Sequence, residues 1–410
     1  MSPSAARPPE GASAPEGLTA AAPGLPAQTG TVGRGAASGS AAACKASDPH
    51  AVGERGGRIT LITGGAGFIG SNLAHRLLGM GQRVRVLDNL SRPGVEQNLQ
   101  WLRETHGERL EMVVADVRDV AKVRQAMAGI TQVFHFAAQV AVTTSLVDPQ
   151  DDFSVNAQGT LNVLEAVRAQ RTPPPLVLTS TNKVYGGLED VGLEVRDGRY
   201  APLDAALHAN GVSEARPLDF HSPYGCSKGT ADQYVVDYAR SYGLVTTVFR
   251  MSCIYGPRQF GTEDQGWVAH FILRALRGEP ITLYGDGRQV RDVLFVEDLV
   301  DAFLLAREHG PKLAGRAFNM GGGPGNAISL LDLLDRIEDL HGRRPKVDFD
   351  QWRTGDQRYY VSDTRAFQQA TGWQPKVGAD DGIARLYRWL AARQSKAAQP
   401  ARSRQPAGAL

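Results

Sequence analysis

The run Arg58-Ile59-Thr60-Leu61-Ile62-Thr63-Gly64-Gly65-Ala66-Gly67-Phe68-Ile69-Gly70 decides how this chain folds. Residues Arg58–Thr63 read as a buried strand, and the glycine-rich turn after them opens a helix expected over Phe68–Met80. Gly64 permits the tight turn, Gly67 lets the backbone approach an anion, and Gly70 lets the helix pack closely on the strand. Free N–H groups and the positive end of the helix dipole then suit a pyrophosphate. The spacing is Gly-x-x-Gly-x-x-Gly where Gly-x-Gly-x-x-Gly is more familiar, and a glycine cluster alone could be an ordinary turn. Its place between a strand and a helix makes it a dinucleotide site, with Phe68 and Ile69 among the contacts.

Outward from this turn the pattern alternates. Strands are expected at Arg83–Leu87, Leu110–Val114, Gln132–Phe136, Leu176–Thr181 and Thr246–Arg250, with helices between them, notably Val155–Arg168 and Ala231–Tyr242. Apolar strands alternating with helices imply βαβ units, hence an α/β, Rossmann-type doubly wound parallel sheet with ligands at the carboxyl ends of its strands. From about Ile254 the periodicity loosens into a smaller C-terminal α+β lobe, with helices expected at Ser329–Leu340 and Gly382–Arg393. The expected division is a tail over 1–56, a dinucleotide-binding domain over 57–253, a substrate domain mainly over 254–394 and a second tail over 395–410. Both tails are rich in Ala, Gly, Pro and Ser and cannot bury enough surface to offset their ordering entropy. A start codon placed too far upstream would equally account for the first. The stretch Gly187–Asp219 is too long for a simple connection and is expected to border the active site.

Composition narrows the class. The chain has 410 residues, 42% of them hydrophobic and 21% charged, and a net charge of +2. That charge gives no long-range field for nucleic acid or acidic membranes. Cys44, Cys226 and Cys253 form no metal-ligand spacing, and their odd number argues against a disulfide framework, which suits a reducing cytoplasm. No apolar run reaches the length of a membrane span, and Pro, Gly and Ser interrupt the N-terminus where a secretory signal would need an apolar core.

Asp88 ends the second strand, roughly 20 residues beyond the turn, where a carboxylate takes the adenosine-ribose hydroxyls and repels a 2′-phosphate. This selects NAD over NADP, with Asn89 beside it; nearby Arg92 reads as a solvated loop residue. Tyr224 and Lys228 lie one helical turn apart on one face. An ammonium near a phenol is expected to lower the phenol's pKa, so that Tyr224 can take a proton from a secondary alcohol as hydride leaves. Thr181 stands at the end of a strand upstream of both. His135, His221, Cys226 and Cys253 read as mainly structural, the two cysteines as packing thiols, while Trp267 suits stacking on a base or sugar as well as core packing.

These features resemble the extended short-chain dehydrogenase/reductases that act on sugar nucleotides, over about Arg58 to Arg393. The resemblance implies that Thr181 hydrogen-bonds the reacting hydroxyl, Tyr224 is the acid/base, and Lys228 also holds the nicotinamide ribose. It implies further that Asp116 and Val117 flank the adenine, that Ala137 and Ala138 line the cofactor, and that Asn156 stands behind the lysine. Arg291, in Tyr284-Gly285-Asp286-Gly287-Arg288-Gln289-Val290-Arg291-Asp292, resembles the family arginine that grips the diphosphate, and Arg353 is a second candidate.

In the dehydratases of this family an Asp-Glu pair follows the threonine and performs the elimination. Here Asn182 and Lys183 stand there, and neither supplies that carboxylate chemistry. Asn182 is therefore expected at the substrate and dehydration is disfavoured; the resemblance, strongest to epimerases of the family, implies an epimerisation at C2 of a CDP-linked sugar. The alternatives are C4 epimerisation of a UDP-hexose and, in a different class, a non-catalytic NAD-binding sensor or scaffold. The expected partners are a nucleotide sugar and a second copy of the chain, as a homodimer or homotetramer through Val155–Arg168 and Ala231–Tyr242.

Overall fold

The computed structural model describes residues 58–398 apart from residue 354. The N-terminal tail expected over 1–56 lies outside them. Ile59–Thr63 (β1), Arg83–Asp88 (β2), Leu110–Val114 (β3), Ile130–His135 (β4) and Leu176–Thr181 (β5) alternate with helices, as the apolar periodicity predicts. A hairpin of Leu193–Arg196 (β6) and Arg199–Pro202 (β7) follows, then Thr246–Met251 (β8) and Cys253–Tyr255 (β9). Beyond come Ile281–Tyr284 (β10), Val290–Phe295 (β11), Arg316–Met320 (β12), Ala327–Ser329 (β13), Val347–Asp350 (β14) and Tyr359–Tyr360 (β15).

Seven strands form one parallel sheet in the order β12-β8-β5-β4-β1-β2-β3. The order reverses between β1 and β4, and a crevice opens there at the carboxyl ends of both strands. Alternating side chains feed two cores, one on each face. Ile62, Phe134, Val177 and Phe249 pack on one side against Phe303 and Phe318. Leu61, Val133, Leu178 and Val248 pack on the other against Val163 and Val235. Burial on both faces is why these strands lack an alternating polar pattern.

Three expectations need correction. The chain beyond 254 does not all leave the sheet: the helix Val296–Glu308 covers one face, and β12 pairs in parallel with β8. A five-residue strand carrying Arg316 and Asn319 has too little periodicity to announce itself. The rest of that segment does build a lobe, around Phe271, Ile272, Leu283, Phe295, Leu333, Ile383 and Leu386. The helix expected over Val155–Arg168 is two pieces, a wide π-type turn at Ser154–Gln158 and Gly159–Arg168, and a short helix at Pro149–Phe153 precedes them. Finally, the last helix, Ala379–Ala398, runs past Ser395, where a tail was expected, because its alanines sustain helical propensity. Gly187–Asp219 carries the β6–β7 hairpin and the helix Ala205–Asn210. Among the described residues no helix is long and apolar enough to cross a membrane.

Candidate active site

Gly64 sits at φ +68°, and a Cβ there would lie 2.7 Å from the Ala137 nitrogen at the end of β4. A Cβ at Gly70 would lie 2.4 Å from the Gly64 carbonyl oxygen, so the helix Phe68–Gly79 rests directly on the turn. Phe68 and Ile69 begin that helix. Its N-cap, Gly67, makes no side-chain cap, and the first turn carries no acid. The first-turn amides thus face the crevice with no anionic side chain competing, which fits a dinucleotide pyrophosphate.

Asp88 ends β2 and accepts from the Ala66 N–H at 3.0 Å and the Leu90 N–H at 2.9 Å. The carboxylate so braces the glycine turn, and burial pushes its pKa up against those bonds. Arg92 is exposed and reaches the Gln265 side chain. Asn89 donates to Asp116 at 2.9 Å. Arg118 binds the same carboxylate at 2.8 Å and holds its pKa down at about 2. Val117 is buried beside it.

Because the folded pKa of Asp116 lies below the unfolded value of about 3.9, its contribution to stability is present above pH 4 and is lost as pH falls towards 2. Asp116→Asn should flatten the acid limb of an unfolding-versus-pH curve in that window. The effect should be modest, because the pair is partly exposed and screened. Identical acid limbs in the two proteins would refute it.

Thr181 ends β5, and its Oγ1 accepts from the Lys183 N–H at 3.2 Å. Tyr224 and Lys228 lie in the helix Ser222–Tyr242, which begins with Ser222 at φ +63° and Pro223 in its first turn. All three are at least nine-tenths buried, and the Thr181 hydroxyl lies against the Tyr224 phenol. Lys228 Nζ donates to the Thr179 carbonyl at 2.7 Å.

The expected ammonium-to-phenol effect is not what governs this arrangement. Burial pushes the Tyr224 phenol up to about 12, with Thr181 only partly opposing it. Burial likewise brings Lys228 down to about 8, against the pull of Asp232 and Asp152. A dry pocket disfavours both charged forms, and Lys228 is directed at a carbonyl.

Asn156 stands behind this pair. Its Nδ2 donates to Ser227 Oγ at 3.0 Å and to Asp152 at 3.1 Å, and its Oδ1 accepts from the Gln139 N–H at 2.9 Å. The wide turn carrying Asn156 therefore ties the loop after β4, where Ala137 and Ala138 lie, to the catalytic helix, as such turns often do at functional sites. Ser145, which accepts from the Tyr224 N–H at 3.1 Å, was not legible in the sequence, since only the fold brings it there.

Asn182 and Arg291 are both committed within the protein. The Asn182 amide bridges Thr181 at 3.3 Å and Gln357 at 3.0 Å. Arg291 binds Asp356 at 2.7 Å and the Val290 carbonyl at 2.8 Å. Arg353 lies apart from Arg291: its guanidinium sits 3.8 Å over the Tyr284 ring and 3.4 Å from Glu263. Asn182, expected at the substrate, thus lies directly beside Thr181, and Arg353 pairs with a loop carboxylate.

His135 is a core residue, bonded to Thr63 at 2.6 Å and Thr160 at 3.0 Å, and burial brings its pKa down to about 3. His221 pairs with Asp219 at 3.1 Å. Trp267 donates to the Cys253 sulfur at 3.3 Å. Cys226, expected to pack, is exposed. An open cavity of about 690 Å³ lined by Leu188, Leu203, Leu207, Val212 and Arg216 includes none of Thr181, Tyr224 and Lys228.

The sequence profile of the NAD dependent epimerase/dehydratase family matches residues 60–321. CDP-paratose 2-epimerase of Salmonella typhi is 45% identical over 336 residues, spanning 80% of this chain and 98% of that protein. The crystal structure of UDP-glucose 4-epimerase from Thermotoga maritima with UDP-glucose superposes with a TM-score of 0.70 at 30% identity, covering 82% of this chain and 99% of that one. UDP-glucose 4-epimerase of Thermus thermophilus, in complex with NAD, gives 0.66 at 34% identity, covering 81% and 98%.

Proposed function

The chain belongs to the NAD-dependent epimerase/dehydratase family, and from that premise we propose that it inverts C2 of CDP-paratose, giving CDP-tyvelose through a transient ketone. The observation that carries this reading is the convergence of Thr181, Tyr224 and Lys228 beside a glycine cradle, with a neutral amide at position 182. Elimination would require carboxylates at 182 and 183, and both side chains there bind the protein instead. The 45% identity to a CDP-paratose 2-epimerase supports the substrate.

NAD, when bound, would supply reversible hydride exchange. Gly64, Gly67, Phe68, Ile69 and Gly70 would hold its pyrophosphate, Asp88 and Asn89 its adenosine ribose, Asp116 and Val117 its adenine, and Ala137, Ala138 and Lys228 its nicotinamide half. As the phenolate, Tyr224 would take the proton of the sugar hydroxyl and, as the resulting phenol, return it, while Thr181 orients that oxygen. At pH 7, below the Lys228 pKa of about 8, this lysine is protonated and sets a cation one helical turn from the phenolate that takes the proton. Retaining the ketone keeps the second step intramolecular.

Incubation with CDP-paratose carrying deuterium at C2, followed by NMR of the sugar, tests the proposal. The label should be retained at C2 of an inverted product, with a primary isotope effect on the rate. An isotope effect from C4 deuterium with none from C2 would move the oxidation to C4. Formation of a 4-keto-6-deoxy product from CDP-glucose, which retains its C6 hydroxyl, would end the epimerase reading.

C4 epimerisation of a UDP-hexose is the second reading, favoured by the UDP-glucose 4-epimerases above. Preferential thermal protection by UDP-sugars over CDP-sugars would select it. A silent sensor has no need of both Tyr224 and Lys228. The proposed assembly is a homodimer, itself open to pairing into a tetramer. Its support is the exposure of Leu146, Val147, Phe153, Tyr234 and Tyr242 on helices that pack together around Ser222–Tyr242. Light scattering should give twice the chain mass or four times it; a monomer would refute the assembly.

A further inference from the structure

A single directional chain of hydrogen bonds runs from the catalytic threonine into the C-terminal lobe. Its direction is set at the far end, because the Gly186 carbonyl can only accept. Gln357 Nε2 donates to it at 2.7 Å, so Gln357 Oε1 faces Asn182 and accepts from Asn182 Nδ2 at 3.0 Å. Asn182 Oδ1 must then face Thr181, whose hydroxyl donates to it at 3.3 Å. With the Lys183 N–H donating to Thr181 Oγ1 at 3.2 Å, one lone pair of that oxygen is left to accept from the substrate hydroxyl.

The same segment is anchored twice more. Lys183 Nζ donates to the Gly355 carbonyl at 3.0 Å and lies 3.7 Å from Asp356. Arg291 binds Asp356 at 2.7 Å and also donates to the Gln357 carbonyl. Gln357 is fully buried and Asn182 nearly so, which makes each unsatisfied donor or acceptor in this chain expensive.

We propose that Asn182, Lys183 and Gln357 are positioning residues that dock Gly355–Gln357 onto the catalytic turn and fix the rotamer and proton of Thr181. A carboxylate at 182 can accept from Thr181 but cannot donate to Gln357, so the amide is what makes the chain continuous. The residues that replace a dehydratase's acid pair thereby acquire a role of their own in the epimerase. The catalytic consequence rests on the function proposed above; the docking does not.

Asn182→Asp and Gln357→Glu keep shape and each remove one donor. In full-length enzyme each should lower kcat on CDP-paratose by roughly 100-fold, the scale of a small misplacement of a reacting group, with KM little changed. The double variant Asn182→Leu/Gln357→Met, which sets no two carboxylates face to face, should lose no more than either of its single variants, because the chain is already broken. Amide exchange at 355–357, measured without substrate, should quicken in Asn182→Asp, Gln357→Glu and Lys183→Met.

Unchanged exchange in all three variants would overturn the docking. Wild-type kcat in both amide variants, or losses that multiply in the double, would overturn the positioning of Thr181. If the wild-type chain left CDP-paratose untouched, the functional reading would fall, and the exchange comparison would still decide the docking.

Discussion

Tyr224→Phe should lower turnover of CDP-paratose by about 10²–10⁴-fold, the usual contribution of a positioned acid/base group. The ring is buried, so the phenyl group retains the packing of the helix Ser222–Tyr242 and removes only the hydroxyl that lies against Thr181. Purified variant should still yield NAD on acid extraction, because the glycine cradle, Asp88 and Lys228 are intact. That extraction separates loss of chemistry from loss of cofactor. Turnover at the wild-type rate would remove Tyr224 from the mechanism, and recovery of NADP would overturn the selection attributed to Asp88.

Arg250→Met should destabilise the fold by about 3–5 kcal/mol, the expected cost of leaving a buried charge unpaired. Arg250 on β8 binds Asp232 through two nitrogens, at 2.9 and 2.8 Å, and Asp232 is fully buried. Arg250 also donates to the Tyr185 hydroxyl at 3.1 Å, which itself donates to Asn319 at 2.8 Å. The pair pins the catalytic helix to the sheet, one turn beyond Lys228. Chemical unfolding measures the loss. Pairing the change with Asp232→Leu should recover much of it, since an apolar pair leaves no stranded carboxylate. A single variant within 1 kcal/mol of wild type, as an exposed ion pair would give, would show that Asp232 is hydrated or neutral in the fold.

Much of the architecture was legible along the chain because its causes are local. Strands buried on both faces are largely apolar, so β1, β4, β5 and β8 announce themselves mainly as Val, Ile, Leu, Phe and Thr, while β2 alternates Arg with Val before its buried end. The glycines of the turn were readable for the same reason: a positive φ at Gly64 and a 2.4 Å approach at Gly70 exclude any other residue. The spacing of Tyr224 and Lys228 places them on one helical face in any helix that contains both.

What the tertiary structure alone decided lies between residues far apart in sequence. β12 joins β8 because the sheet offers an edge there, which a five-residue strand with a buried asparagine could not foretell. Ser145 behind Tyr224, Asn156 against Ser227, and Gln357 against Asn182 are 79, 71 and 175 residues apart, and no local periodicity encodes such pairs. Electrostatics followed the same division. The sequence places an ammonium one turn from a phenol, but only the packed fold shows burial outweighing that attraction and raising Tyr224 to about 12. Residue types and spacing thus determined most of the sheet, the cradle and the candidate site's side chains. Desolvation and long-range hydrogen bonds, which exist only once the chain has closed on itself, decided how those side chains are held and charged.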